Sequence, residues 1–109
     1  MMKILGIDFG IKSRFLRFAT RSPKWSSVRK QHLKDNPCCA ACGRCDKLEV
    51  HHIEPVHVNP NRELDPSNLI TLCDSPCHMV FGHLMNYKSW NSNVASDCQE
   101  YLLKIKDRP

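Results

Sequence analysis

Cys39-Ala40-Ala41-Cys42 and Cys73-Asp74-Ser75-Pro76-Cys77 bracket the stretch Leu48-Glu49-Val50-His51-His52-Ile53-Glu54-Pro55, and these three pieces of sequence decide the fold. Two residues between a pair of cysteines let both thiolates of a tight knuckle reach one tetrahedral ion, at sulfur–metal distances near ~2.3 Å. Gly43 follows the first pair directly and permits the sharp turn that a knuckle needs. The second pair has three intervening residues, still within the ordinary range for zinc ligands. The segment 43–72 between the pairs is long enough for a two-stranded excursion that returns to the same ion. Cys39, Cys42, Cys73 and Cys77 are therefore read as a structural zinc site. Cys38 and Cys45 lie close enough in sequence to compete as ligands, and spacing leaves that choice open.

Working outward, Leu48 to Ile53 reads as a strand that Pro55 stops, and 56–67 as a polar loop carrying Pro60 and Pro66. Leu69 to Leu72 reads as a second short strand. A helix is expected from Ser75-Pro76 through Met79, Val80, Phe81 and Leu84. Upstream, Ser22-Pro23 opens a helix, with Ser as cap and Pro at the first helical position. Trp25, Val28 and Leu33 fall near one face of it and Lys24, Arg29, Lys30 and Lys34 elsewhere; Asp35-Asn36-Pro37 ends it. Downstream, Val94, Cys98, Tyr101, Leu102 and Ile105 repeat at helical spacing, the mark of a core face. Residues 1–21 form a basic leader with Lys3, Lys12, Arg14, Arg17 and Arg21, read as an arm on DNA or as disordered chain. Within it Met2 to Phe9 is tolerant of a strand. The reading is one α+β domain over 22–105, with its core motif at 39–84.

The chain has 109 residues, enough for one core, and aromatic residues make up only 7% of them, so that core is thin and a staple is expected. Its seven cysteines are an odd number. The apolar run from Ile4 to Ile7 is broken by Asp8, too short for a signal peptide or a membrane span. A reducing cytoplasm and no membrane partner are the expectations, with clustered cysteines holding metal in preference to forming disulfides. A net charge of +5 is compatible with a polyanionic partner without requiring one.

Between and beside the cysteine pairs stand His51-His52, Asn68, His78 and His83. Neighbours on a strand face opposite ways, so His51 and His52 cannot share a role: one can bind metal while the other reaches a water. His78 directly follows a candidate zinc ligand, which fixes its place. A single histidine here would read as a satisfied core residue; this constellation does not.

Leu48 to Pro55, Asn68-Leu69-Ile70-Thr71-Leu72-Cys73 and Cys77-His78 together resemble the HNH endonuclease family, in its cysteine-containing branch, over roughly Trp25 to Trp90. The resemblance implies a small ββα-metal (His-Me finger) domain with flanking helices that hydrolyses DNA phosphodiesters with a single catalytic divalent ion. His51 matches the family's first metal ligand, His52 the general base, Asn68 the asparagine that braces the loop and orients the base, and His78 the last metal ligand. The ion implied is Mg²⁺, Mn²⁺, Ni²⁺ or Co²⁺, beside the structural Zn²⁺. The implied partner is DNA, bound largely without sequence preference, with Lys24, Arg29, Lys30, Lys34, Arg62 and Lys88 as phosphate contacts. A monomer and a homodimer are equally compatible, as is a host's cytoplasm for a phage-encoded chain.

The chain departs from the family pattern twice. Its second cysteine pair has an extra residue. Its second helix histidine, His83, stands five positions after His78 where many relatives have four, a rotation of about 140° on an ideal α-helix. Joint ligation then needs a distorted or ended helix. His57 and Glu63 default to structural roles. The rival reading is a non-catalytic zinc module that recruits DNA or protein, and a remoter one is a nuclease acting on RNA.

Overall fold

Leu48–His52 (β1) and Leu69–Cys73 (β2) pair antiparallel, Leu48 opposite Cys73 and His52 opposite Leu69. The computed structural model describes residues 21–109. Of the basic leader only Arg21 falls among them, and the strand reading of Met2 to Phe9 lies outside the described residues. Around the two-stranded sheet stand helix α1 (Trp25–Asp35), a single turn of π-helix (His78–Gly82) and helix α2 (Val94–Lys106). This is the small α+β architecture of a ββα-metal domain, with a cluster of four cysteines beside the sheet.

β2 is buried along its whole length, because α1 touches it from one side and the π-turn from the other. An all-apolar run such as Leu69-Ile70 suits a strand covered on both faces. The end of α1 is tied down by Thr71, whose hydroxyl donates to the Asn36 carbonyl at 2.9 Å. Beyond it Ala40 N–H bonds the Thr71 carbonyl at 2.9 Å, so the first cysteine knuckle is stitched to the middle of β2. The core is as small as the composition implies: Cys39, Ala41, Ile70, Leu72, Cys73, Cys77, Val94 and Cys98. Buried thiols replace much of the aliphatic bulk that a larger domain would use.

Two helix boundaries differ from the sequence reading. α1 starts at Trp25, and Ser22 does not cap it. The Ser22 N–H instead donates to Glu63 Oε2 at 2.8 Å, and its hydroxyl accepts from Lys24 N–H, forming a turn that precedes the helix. The helix expected through Leu84 stops at Gly82, since Leu84 and Met85 have φ of 54° and 69°, a left-handed conformation that no helix continues. The stripe on α2 divides likewise: Val94 and Cys98 are fully buried and Leu102 and Ile105 half-buried, whereas Tyr101 is exposed.

The connection between the strands is held from inside. Asn68 accepts from Glu54 N–H through Oδ1 at 2.8 Å, and its Nδ2 donates to the carbonyls of Glu54 and Arg62 at 3.0 and 3.2 Å. Short 3₁₀ turns at Pro60–Arg62 and Pro66–Asn68 take up the remaining slack.

Candidate active site

Cys39, Cys42, Cys73 and Cys77 converge, their sulfurs all within 4.8 Å of one another. The Cys42 and Cys73 sulfurs are 3.9 Å apart, close to the ~3.8 Å edge of a tetrahedron with zinc–thiolate bonds. The knuckle forms because Cys39 N–H bonds the Arg44 carbonyl and Gly43, at φ 82°, turns the chain so that its N–H meets the Cys39 carbonyl. Burial works against an ionised Cys39. The N–H of Cys42, with those of Cys73 and Ala41, outweighs it and holds the thiol down at about 7. Burial pushes Cys77 up, as do the neighbouring sulfurs of Cys73 and Cys39. Four thiols that cannot all ionise together unless a cation sits among them fit a metal site, and the donor set is one that zinc favours.

Cys38 and Cys45 are not competitors for that site: they are bonded to each other by a disulfide. The expectation that clustered cysteines would hold metal and form no disulfide fails for this pair. The Gly43 turn brings both mouths of the loop together while its inner cysteines face the core.

A second cluster lies across the sheet. His51, His78 and His83 place ring nitrogens within 4.8 Å of one another, with ring centroids 4.9 to 5.0 Å apart. His51 Nδ1 and His78 Nε2 are 3.0 Å apart. His83 Nδ1–H donates to the Ser89 carbonyl at 2.9 Å, which leaves Nε2 with its lone pair. His83 joins the cluster because the chain there is π-helical: i→i+5 hydrogen bonding stacks residue 83 a full turn above 78, where an α-helix would have rotated it away. His51 is held down to about 3, by burial first and then by the positive charge that His78 and His83 would carry. His78 is lowered by burial and by His83. Imidazole nitrogens that converge in this way fit a divalent cation.

His52 faces the opposite way, as strand alternation requires. Its Nε2–H donates to the Glu63 carbonyl at 2.8 Å, leaving Nδ1 unprotonated. Burial lowers it further towards the neutral form. The loop presenting that carbonyl is the one Asn68 braces, so Asn68 is linked to His52 through backbone and not by contact. Glu63, assigned only a structural role by sequence, supplies the acceptor. Its main-chain oxygen carries no side-chain signal by which sequence could find it.

The histidines line a cleft of about 410 Å³ together with Arg21, Glu49, His57, Lys88 and Trp90. Of the six residues expected as phosphate contacts, Lys88 lies in it. Lys30 and Lys34 are exposed on α1, Lys24 is exposed just before it, and Arg29 is half-buried in the helix. Arg62 is committed elsewhere: its guanidinium bridges Glu54 at 3.3 Å and Asp65 at 3.2 Å inside the loop. Arg21 and Trp25 were not among the expected site residues. Their place in the site depends on how α1 docks.

Residues 39–79 match one family in a comparison with protein-family models, described as HNH endonuclease. No curated protein and no solved structure was found to match the chain.

Proposed function

We propose, from the match of residues 39–79 to the HNH endonuclease family, that the protein is a DNA endonuclease whose general base is His52 and whose catalytic cation is held by His51, His78 and His83. The observation that carries this reading is the division of the strand end. Three imidazoles converge on one side, while on the other a fourth is fixed by a backbone carbonyl in the tautomer a base requires.

His52 Nδ1 takes a proton from water, and the water oxygen forms a bond to phosphorus as the bond to the leaving ribose oxygen breaks. The Glu63 carbonyl stabilises the imidazolium that results, and Asn68 keeps that carbonyl in place. When bound, a divalent cation supplies charge neutralisation at the phosphate and the leaving oxygen. Imidazole donors suit Mn²⁺, Ni²⁺ and Co²⁺ as well as Mg²⁺. Zinc at the four cysteines has a separate, structural task. With no recognition helix at the cleft among the described residues, cleavage is expected to be largely indifferent to sequence.

Plasmid nicking across a divalent-ion panel tests the proposal. Wild-type protein is expected to nick only with metal. His52→Ala is expected to lose on the order of 100-fold or more while melting normally and still binding duplex DNA. Undiminished nicking by His52→Ala removes the assigned base, and no metal-dependent nicking by the wild type leaves a zinc-stabilised binding module.

A further inference from the structure

Helix α1 lies outside the segment that matches the family, yet its leading edge presses on the site. The indole of Trp25 stacks on the imidazole of His52, with centroids 4.7 Å apart and planes inclined by 32°. The Arg21 guanidinium lies 5.7 Å from the Trp25 centroid, and Arg21 lines the cleft that His51, His52, His78 and His83 share. Between them, Ser22 N–H is bonded to Glu63 Oε2, so this turn is anchored to the residue whose carbonyl holds the base. Two contacts, from Trp25 to His52 and from Ser22 to Glu63, thus converge on one imidazole and its loop, and Arg21 packs on the same tryptophan.

The hydrogen bond to Glu63 fixes one direction in the plane of the His52 ring but leaves the ring free to rock about that axis. A flat apolar face laid against it removes that freedom. Arginine stacks through its π-face and donates through its in-plane N–H groups, so a guanidinium over an indole keeps its fork available for a phosphate. Among the described residues lining the cleft, Arg21 and Lys88 are the non-histidine cations. Arg44 and Arg62, elsewhere, are held by Asp46 and by Glu54 and Asp65.

We propose that Arg21 binds the phosphodiester in this cleft, and that Trp25 is a positioning residue that carries Arg21 on one side and steadies His52 on the other. The proposal rests on the nuclease reading above, and its test separates the two. Duplex binding is measured without divalent metal at the histidines over a salt series, and nicking kinetics are measured with it.

Arg21→Gln, at an exposed position, is expected to reduce the salt slope of duplex binding by about one phosphate contact. In nicking it raises KM on the order of tenfold with little change in kcat. Trp25→Leu keeps apolar bulk without an aromatic face and is expected to lower kcat by about tenfold or more. Trp25→Phe restores most of that rate, and cation affinity at the histidines is unchanged in both. An unchanged salt slope and KM in Arg21→Gln overturns the phosphate site. Wild-type kcat in Trp25→Leu, or equal loss in Trp25→Phe, overturns the positioning role. Should the tryptophan variants melt early, the Arg21→Gln measurements still decide the phosphate site. A wild type that binds with the expected Arg21 slope but does not nick refutes the nuclease reading and leaves the phosphate site standing.

Discussion

At Gly82 an added Cβ would sit 3.0 Å from Cε1 of His51, 3.1 Å from Nε2 and 3.2 Å from Nδ1. The ring lies directly on the glycine backbone, and its Nε2 is buried without a hydrogen-bond partner. Packing, not a second hydrogen bond, therefore sets the ring's position. Gly82→Ala must displace the imidazole by a few tenths of an ångström. We expect cation affinity at the histidines to fall on the order of tenfold, since disturbing the support of a ligand has that size of effect. Calorimetric titration of Mn²⁺ into the zinc-loaded protein measures it, and wild-type affinity in the variant would show that the ring has room to spare. The opposed facing of His51 and His52 was legible in the sequence, because a strand's two-residue period is local. That a glycine thirty residues away would set one of the rings was not.

Among the elements, the π-turn and the cysteine knuckle are each decided by a few backbone hydrogen bonds. The knuckle could be read from spacing, since Cys39, Cys42 and Gly43 need only each other to make their turn. The π-turn could not. His78 and His83 share a side only if the chain adopts i→i+5 bonding, and that choice is made by where Gly82 meets His51 and where Asn91 holds the Gly82 and Phe81 carbonyls. The cysteine cluster joins the knuckle, the end of β2 and the start of the π-turn. Replacing one ligand should loosen all three together. Cys73→Ser is expected to unfold the domain or lower its melting temperature steeply, and a zinc chelator to do the same to the wild type, followed by circular dichroism. An unchanged melt after chelation would mean that the core and the Cys38–Cys45 bridge suffice without metal.

For the whole molecule, titration of the buried imidazoles links the site to stability. His51 has a folded value of about 3 against an ordinary 6.5. Between those values the unfolded chain binds a proton that the folded one refuses, so stability is fully present above about 6.5 and falls as pH drops through that window. The slope is up to about 1.4 kcal/mol per pH unit for this one group. Protein carrying zinc but no ion at the histidines should melt at a similar temperature at about pH 7.5 and about pH 6.5, and markedly lower at about pH 5.5. A level melting temperature over that range would mean that the imidazole accepts its proton in place.

What the sequence determined by itself depends on short spacing. The paired cysteines, the facing of the two histidines and a strand that stops before Pro55 are fixed by neighbours a few residues away, where chain geometry allows little choice. Tertiary structure decided what depends on two distant segments meeting. It placed Trp25 against His52, brought Arg21 into the cleft and Glu63's carbonyl to His52 Nε2, and committed Arg62 to its own loop. Such contacts follow from how α1 and the long loop pack on the sheet, and packing is a property of the whole chain that no local pattern records.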